Sequence, residues 1–197
     1  MTMNRIGKYD CLEIERRYLL RKLPEGLRVQ SAGWRIFDRY IAGTRLRLRR
    51  MEPLNGDPVA YKLGQKYRSD SQGPAETTMT NFYLDRAEYD RLIRLDGRDL
   101  TKTRYPFRYR DLLYGIDVFE GNLEGLVLAE IECESLDDFE NLALPPAGWI
   151  DVTENASFTG GHLAGLPREV FEATILPLME GASHCDFRYP RPSRNDE

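Results

Sequence analysis

The chain of 197 residues has few of the side chains that build most metal and nucleophile sites. Its two histidines, His162 and His184, leave little from which to build a histidine metal centre or a Ser-His-Asp triad. Its three cysteines, Cys11, Cys133 and Cys185, are an odd number without C-x-x-C spacing. A disulfide framework and a zinc knuckle are therefore not expected, and a reducing compartment is.

Long apolar runs are also missing. No stretch of 18 apolar residues occurs, and the N-terminal "MTMNRIGKYD" lacks the apolar core of a secretory signal. We therefore expect a cytoplasmic protein that does not enter a membrane. The formal net charge of −4 gives no overall basic character, so duplex nucleic acid is not an expected partner.

Lysine is scarce relative to arginine. Only five of the 28 cationic side chains are lysines, at positions 8, 22, 62, 66 and 102. Arginine binds phosphate and carboxylate groups through two parallel hydrogen bonds, so the bias is compatible with anion binding. A codon preference of the genome explains it equally well, and composition alone does not decide between the two.

Alternation of apolar and polar residues dominates the chain and predicts an antiparallel β protein with peripheral helices. Helices are expected at 84–95, 135–142 and 167–180, with Pro177 ending or kinking the last one. We expect one domain over residues 1–183 and a flexible tail over 184–197. The predicted strands are 10–20, 34–41, 43–51, 59–68, 75–83, 99–105, 106–112, 114–120 and 126–134, with a weaker one at 149–153.

The polar faces of these strands sort by charge sign. In "TRLRLRR" the alternation places Arg45, Arg47 and Arg49 on one face, and the strands at 59–68 and 99–105 also present only cations. The strand at 126–134 presents three carboxylates, Glu130, Glu132 and Glu134. For any single strand, a sheet with one face exposed to water explains the charged residues. A surface made only for solubility would mix the signs, which favours a second reading.

In that second reading the charged faces line the inside of a closed barrel of about eight strands, which leaves room for one small ligand. Buried carboxylates need compensation, and a divalent cation would provide it. Mg²⁺ is commonly bound by one or two carboxylates together with substrate phosphates. The cationic strands would then bind the phosphates.

Six landmarks in order carry a family resemblance. They are "EIERR" (13–17), "LRLR" (46–49), "YKLGQK" (61–66), "KTRY" (102–105), "IDVF" (116–119) and "GLVLAEIECES" (125–135). "DVTENASFTGGHLAG" (151–165) adds a closing segment. Over about residues 9–165 the chain resembles the CYTH superfamily, also called triphosphate tunnel metalloenzymes.

The resemblance implies an eight-stranded antiparallel β tunnel with a charged interior, a triphosphate or polyphosphate ligand, and Mg²⁺ or Mn²⁺ as cofactor. It implies hydrolysis of a triphosphate as the activity, with inorganic tripolyphosphate as our first choice of substrate. A polyphosphate- or nucleotide-binding module without activity is the alternative, and an adenylyl cyclase ranks below both. The helix at 167–180 could pair with a second subunit or plug the tunnel.

Site residues follow by position from the same resemblance. The implied catalytic acids are Glu13, Glu15, Glu130 and Glu132, and these acids together with Asp117 are the implied metal ligands. The implied phosphate-binding residues are Arg17, Arg45, Arg47, Lys62, Lys66, Lys102 and Arg104, and the register leaves Lys62 and Lys66 as alternatives for one strand lysine.

The chain also departs from the family pattern. Arg17 stands where the signature has a lysine, and the strand at 75–83 has only Glu76 where many members alternate glutamates. The segment "GGH" replaces one that usually carries an asparagine. A weaker second metal site or a different preferred ion would follow.

Overall fold

Eight strands of the chain pair in a closed antiparallel ring, in which β1 meets β8 on one side and β5 on the other. The computed structural model describes residues 11–27, 32–67 and 76–180. The predicted tail at 184–197 lies outside these ranges. The ring confirms the predicted mainly β barrel, and a short ninth strand lies beside the end of β1.

The strands are β1 (Cys11–Leu19), β2 (Trp34–Ile41), β3 (Leu46–Pro53), β4 (Ala60–Tyr67), β5 (Glu76–Leu84), β6 (Gly97–Tyr109), β7 (Leu112–Phe119), β8 (Val127–Cys133) and β9 (Ile150–Asp151). The helices are α1 (Arg86–Leu92), α2 (Leu136–Glu140), α3 (Gly160–Leu163), α4 (Arg168–Thr174) and α5 (Leu176–Glu180). None of the helices in the described ranges is both long and apolar enough to span a bilayer.

One long strand, β6, replaces the two strands predicted at 99–105 and 106–112. Pairing of β6 with β2 stops at Arg104, and beyond it β7 is the only neighbouring strand among the described residues, with Pro106 opposite Gly115. A proline lacks the N–H that a central strand donates, and it is tolerated at such an edge. The turn falls instead at Arg110, whose φ of 53° is left-handed.

Two apolar clusters pack against the barrel. The outward faces of β1, β7 and β8 contribute Tyr18, Tyr114 and Ile116 to a cluster on which Trp149 packs. At one end of the barrel the apolar residues of β6, β7 and β8 form a second cluster with the C-terminal helices. It includes Leu100, Phe119, Leu128, Phe158, Leu163, Phe171, Ile175 and Met179. The predicted C-terminal helix is interrupted after Thr174, just before Pro177.

Candidate functional site

The barrel encloses a cavity of about 1200 Å³. Inward side chains of the strands line it together with the segment 153–163. Of the residues that the sequence predicted for the site, Asp117 is the exception that does not line this cavity. The structure brings together Glu13, Glu15, Arg17, Arg45, Arg47, Lys62, Lys66, Lys102, Arg104, Glu130 and Glu132.

Arg17 joins two of the predicted acids. Its register on β1 places it opposite Glu130 of β8, and its Nε donates to Glu130 Oε1 at 3.0 Å. Its Nη2 donates to Glu15, two residues earlier on the same face. Burial lowers the pKa of Arg17, but Glu130 and Glu15 outweigh burial and raise it, so the guanidinium stays charged.

Asp117 lies beneath the cavity wall and is fully buried. Arg104 donates to both of its oxygens at 2.6 Å, and Lys102 Nζ donates to Oδ2. Burial lowers the pKa of Lys102, and Asp117 opposes this shift. Arg104 also reaches Glu130. Burial would raise the pKa of Glu130, but four cations outweigh it and hold the pKa well below its usual range. These cations are Lys102, Arg104, Arg17 and Lys66. Lys102 and Arg104 are therefore largely neutralised by acids of the barrel itself.

The carboxylates on the β1 side carry less compensation. Lys66 pairs with Glu13 and lies 3.9 Å from Glu15 Oε2. Burial and the charge of Glu130 raise the pKa of Glu15, although Lys66 and Arg17 lower it. Glu132 is exposed to the cavity and forms no ion pair with any residue in the described ranges. This side of the cavity is short of positive charge.

The walls formed by β3, β4 and β6 are instead short of negative charge. Arg45, Lys62 and Arg98 line the cavity, and no described residue forms an ion pair with them. The Arg45 guanidinium lies 4.9 Å from the ring of Tyr67, and Lys62 Nζ lies 5.0 Å from the ring of Tyr83. Because no acid of the described ranges neutralises these cations, they are available to bind a ligand. An anion with several negative charges could bind all of them together.

Solved structures with the same barrel exist. Two crystal structures of the protein NE1496, one of which describes it as an inorganic triphosphatase, match with TM-scores of 0.53 and 0.51 at 26% and 27% sequence identity. Each match covers 79% of this chain and 99% or 96% of the other. PH1819 of Pyrococcus horikoshii OT3 matches with a TM-score of 0.47 at 17% identity, over 66% of this chain and 82% of its own. No protein-family model and no curated protein matches the chain.

The chain has the CYTH fold. This confirms the resemblance that six short landmarks carried. The CYTH barrel also explains the position of both β4 lysines. Lys62 and Lys66 alternate with Gly64 on the inward face, so both line the cavity and neither displaces the other.

Sequence analysis did not assign Asp38, Arg49 and Arg98 to the CYTH cavity. Asp38 is 3% exposed, and Arg49 binds it with Nε and Nη2 at 2.6 and 2.7 Å. Burial would raise the pKa of Asp38, but Arg49 and Arg47 outweigh it and lower the pKa to about 2. The signal was present in "RIFDRYI", where alternation puts a single acid among large apolar residues, on a strand next to three inward arginines.

The CYTH resemblance implies a divalent cation, and the carboxylates of this cavity fit one. Glu132 lines the cavity and is unpaired among the described residues, and Glu13 and Glu15 lie on the neighbouring strand, where they share Lys66. No three His, Cys, Asp or Glu side chains of the described ranges form a metal site by themselves. Mg²⁺ is typically held by one or two carboxylates plus substrate phosphates, so an ion that binds together with a phosphate ligand fits this arrangement.

Proposed function

We propose that the protein is a divalent-metal-dependent hydrolase of triphosphate substrates, with inorganic tripolyphosphate as its substrate. The observation that carries the proposal is the separation of charge within one cavity. Cations that form no ion pair within the described ranges lie on the β3, β4 and β6 walls, and carboxylates with less compensation lie on the β1 and β8 walls. The likeness to NE1496, described as an inorganic triphosphatase, supports the same reading.

In this proposal Arg45, Arg47 and Lys62 bind the phosphate chain and stabilise the charge that develops as a P–O bond breaks. Arginine suits this role because its fork of N–H donors matches two phosphate oxygens. Lys102 and Arg104 are held by Asp117 and Glu130. These acids largely neutralise them, so in this proposal they contribute less to phosphate binding than the first three cations.

The acids divide in a similar way. Glu132, which is unpaired among the described residues, and Glu13, which pairs with Lys66, would hold Mg²⁺ or Mn²⁺, with Glu15 and Glu130 beside them. When bound, such an ion neutralises phosphate charge and lowers the pKa of a bound water. Glu15 and Glu130 also hold Arg17, which keeps a permanent positive charge between the two strands.

The first test is phosphate release from tripolyphosphate with Mg²⁺ or Mn²⁺ and with EDTA. We expect Glu132→Gln to lower kcat by about a hundredfold or more, because a lost charge in a preorganised phosphoryl-transfer site costs that much. The matched control is Glu134→Gln, an exposed acid two residues further along that does not line the cavity. Full activity of the Glu132 variant, or release in EDTA, would contradict the proposal.

A binding module without activity is the second candidate, and β5 favours it. Thr77, Met79 and Asn81 are the β5 residues that line the cavity, and none of them is charged. Calorimetry with tripolyphosphate beside the release assay separates the two candidates. Tight binding without release, over a panel that includes thiamine triphosphate, ATP and pyrophosphate, would support the module. Formation of cyclic AMP from ATP would instead support a cyclase.

A further inference from the structure

The barrel contains two ion pairs of the same geometry in opposite settings. On the inside, Asp38 of β2 accepts from Arg49 of β3 at 2.6 and 2.7 Å. On the outside, Asp99 of β6 accepts from Arg39 of β2, both at 2.7 Å. The Asp38 side chain is 1% exposed and the Asp99 side chain 62%. Water screens the outer ion pair, so its interaction energy is small. The inner ion pair is buried and is screened much less.

The inner pair has a third member. Arg47 lies two residues before Arg49 on the same face, and its Nε is 3.8 Å from Asp38 Oδ1. This Nε is buried and has no hydrogen-bond partner in the described ranges. One carboxylate therefore serves two guanidinium groups, and Arg49 takes the close contacts with both oxygens. One positive charge is left over, and it lies on Arg47.

The neighbouring residues on β2 and β4 fix the position of the Arg47 guanidinium. Tyr40 of β2 lies opposite Arg47 in the register of β2 with β3, and both side chains line the cavity. On β4, opposite Arg47, Gly64 has no side chain, and a Cβ there would lie 3.6 Å from Arg47 Nη2. The guanidinium is thus held beside Asp38 and Tyr40, and it lines the cavity.

We propose that Asp38 is a positioning residue that neutralises Arg49 and holds Arg47 beside it, so that Arg47 carries the free charge that binds a ligand phosphate. This rests on the proposed function only in taking the ligand to be a phosphate chain. The lowered pKa of Asp38 means that its carboxylate is ionised throughout the physiological range. The role differs from that of Asp117, which neutralises Lys102 and Arg104.

The test is a cycle of variants measured by calorimetry with tripolyphosphate in EDTA. In Arg49→Met, Asp38 has only Arg47 as a close partner and neutralises it. The affinity for tripolyphosphate should therefore fall, with the Kd about tenfold higher, because one charged contact is lost. In the double variant Asp38→Asn with Arg49→Met, Arg47 is free again and the Kd returns to within about threefold of wild type. Recovery of affinity by removing an acid is a result that a merely structural role of Asp38 would not give.

Steady-state kinetics with Mg²⁺ provide a second measurement. Asp38→Asn leaves two uncompensated arginines, so KM is unchanged or lower, while kcat falls by about tenfold because Arg47 is no longer held in place. Asp99→Asn, the outer counterpart, keeps the wild-type kcat and KM. If Asp38→Asn does not fold, the Arg49→Met and double variants carry the test, since neither leaves a buried charge without a partner.

Wild-type affinity of Arg49→Met, or failure of the double variant to recover it, would overturn the role of Asp38. If the wild-type protein binds tripolyphosphate but releases no phosphate with Mg²⁺ or Mn²⁺, hydrolysis alone is overturned, and the Kd cycle still decides the role of Asp38. Absence of wild-type binding both in EDTA and with Mg²⁺ overturns both.

Discussion

Arg17 pairs with two largely buried acids of the barrel. It holds Glu15 and Glu130, and it replaces the lysine of the CYTH signature. A lysine keeps the charge but has no planar fork with which to serve two carboxylates at once. We expect Arg17→Lys to lower the free energy of unfolding by about 1–2 kcal/mol, and Arg17→Met, which leaves two buried acids short of charge, by about 3–5 kcal/mol.

The pH dependence of the Arg17→Met variant checks this account. Arg17 lowers the pKa of both acids, so its removal raises the pKa of Glu15 further above the value in the unfolded chain. A group with a raised pKa in the folded state stabilises below its unfolded pKa, and that stability is lost as pH rises through the folded pKa. The loss measured by urea unfolding should therefore be larger at about pH 8 than at about pH 5. Equal losses at both would contradict it.

At the scale of elements, the short helix α3 docks on β2 through glycine. A Cβ at Gly160 would lie 2.1 Å from the Tyr40 hydroxyl oxygen, whereas a Cβ at Gly161 would lie at an ordinary 3.7 Å from the Tyr40 ring. We expect Gly160→Ala to destabilise by about 1–3 kcal/mol, because the partly buried Tyr40, which packs against the apolar cluster, must move. Since Tyr40 lies opposite Arg47 in the register of β2 with β3, tripolyphosphate affinity should fall as well.

Gly161→Ala is the control for that substitution, since alanine favours a helix at either position by about 1 kcal/mol. It should leave thermal unfolding and affinity unchanged or slightly improved. Similar behaviour of the two alanine variants would exclude the contact with Tyr40 as the reason that position 160 is glycine.

The strands show which features could be predicted from the sequence and which could not. Alternation identified the inward faces of β1, β3, β4 and β8, because a strand has only two faces and one was charged throughout. It could not identify ion-pair partners, since these depend on which strands become neighbours when the ring closes. Asp38 was missed for that reason, and the ion pair of Lys102 with Asp117 of β7 was not foreseen, while phosphate binding by Lys102 stays a prediction. The continuity of β6 over Gly97–Tyr109 was also missed, because a proline predicts a strand end, whereas Pro106 lies where β6 has lost β2 as a neighbour.

At the scale of the whole molecule, the cavity and the C-terminal helices share one apolar cluster. Phe119 and Phe158 line the cavity, and they belong to the cluster that contains Phe171, Ile175 and Met179. We therefore propose that one domain extends over residues 1–183 and includes these helices. Each of the three buried helix side chains contributes about 1.5–3 kcal/mol, so together they approach the stability of an ordinary domain.

Two truncations test this domain boundary. Removal of residues 184–197 should leave the midpoint of thermal unfolding and tripolyphosphate binding unchanged. Removal of 167–197 takes away about 5–9 kcal/mol of apolar burial, so the remaining chain should lose its cooperative unfolding transition, measured by circular dichroism. A folded, binding-competent 1–166 chain would mean that the barrel is stable alone. The helices would then be an appendage, and the end wall of the cavity would not depend on them.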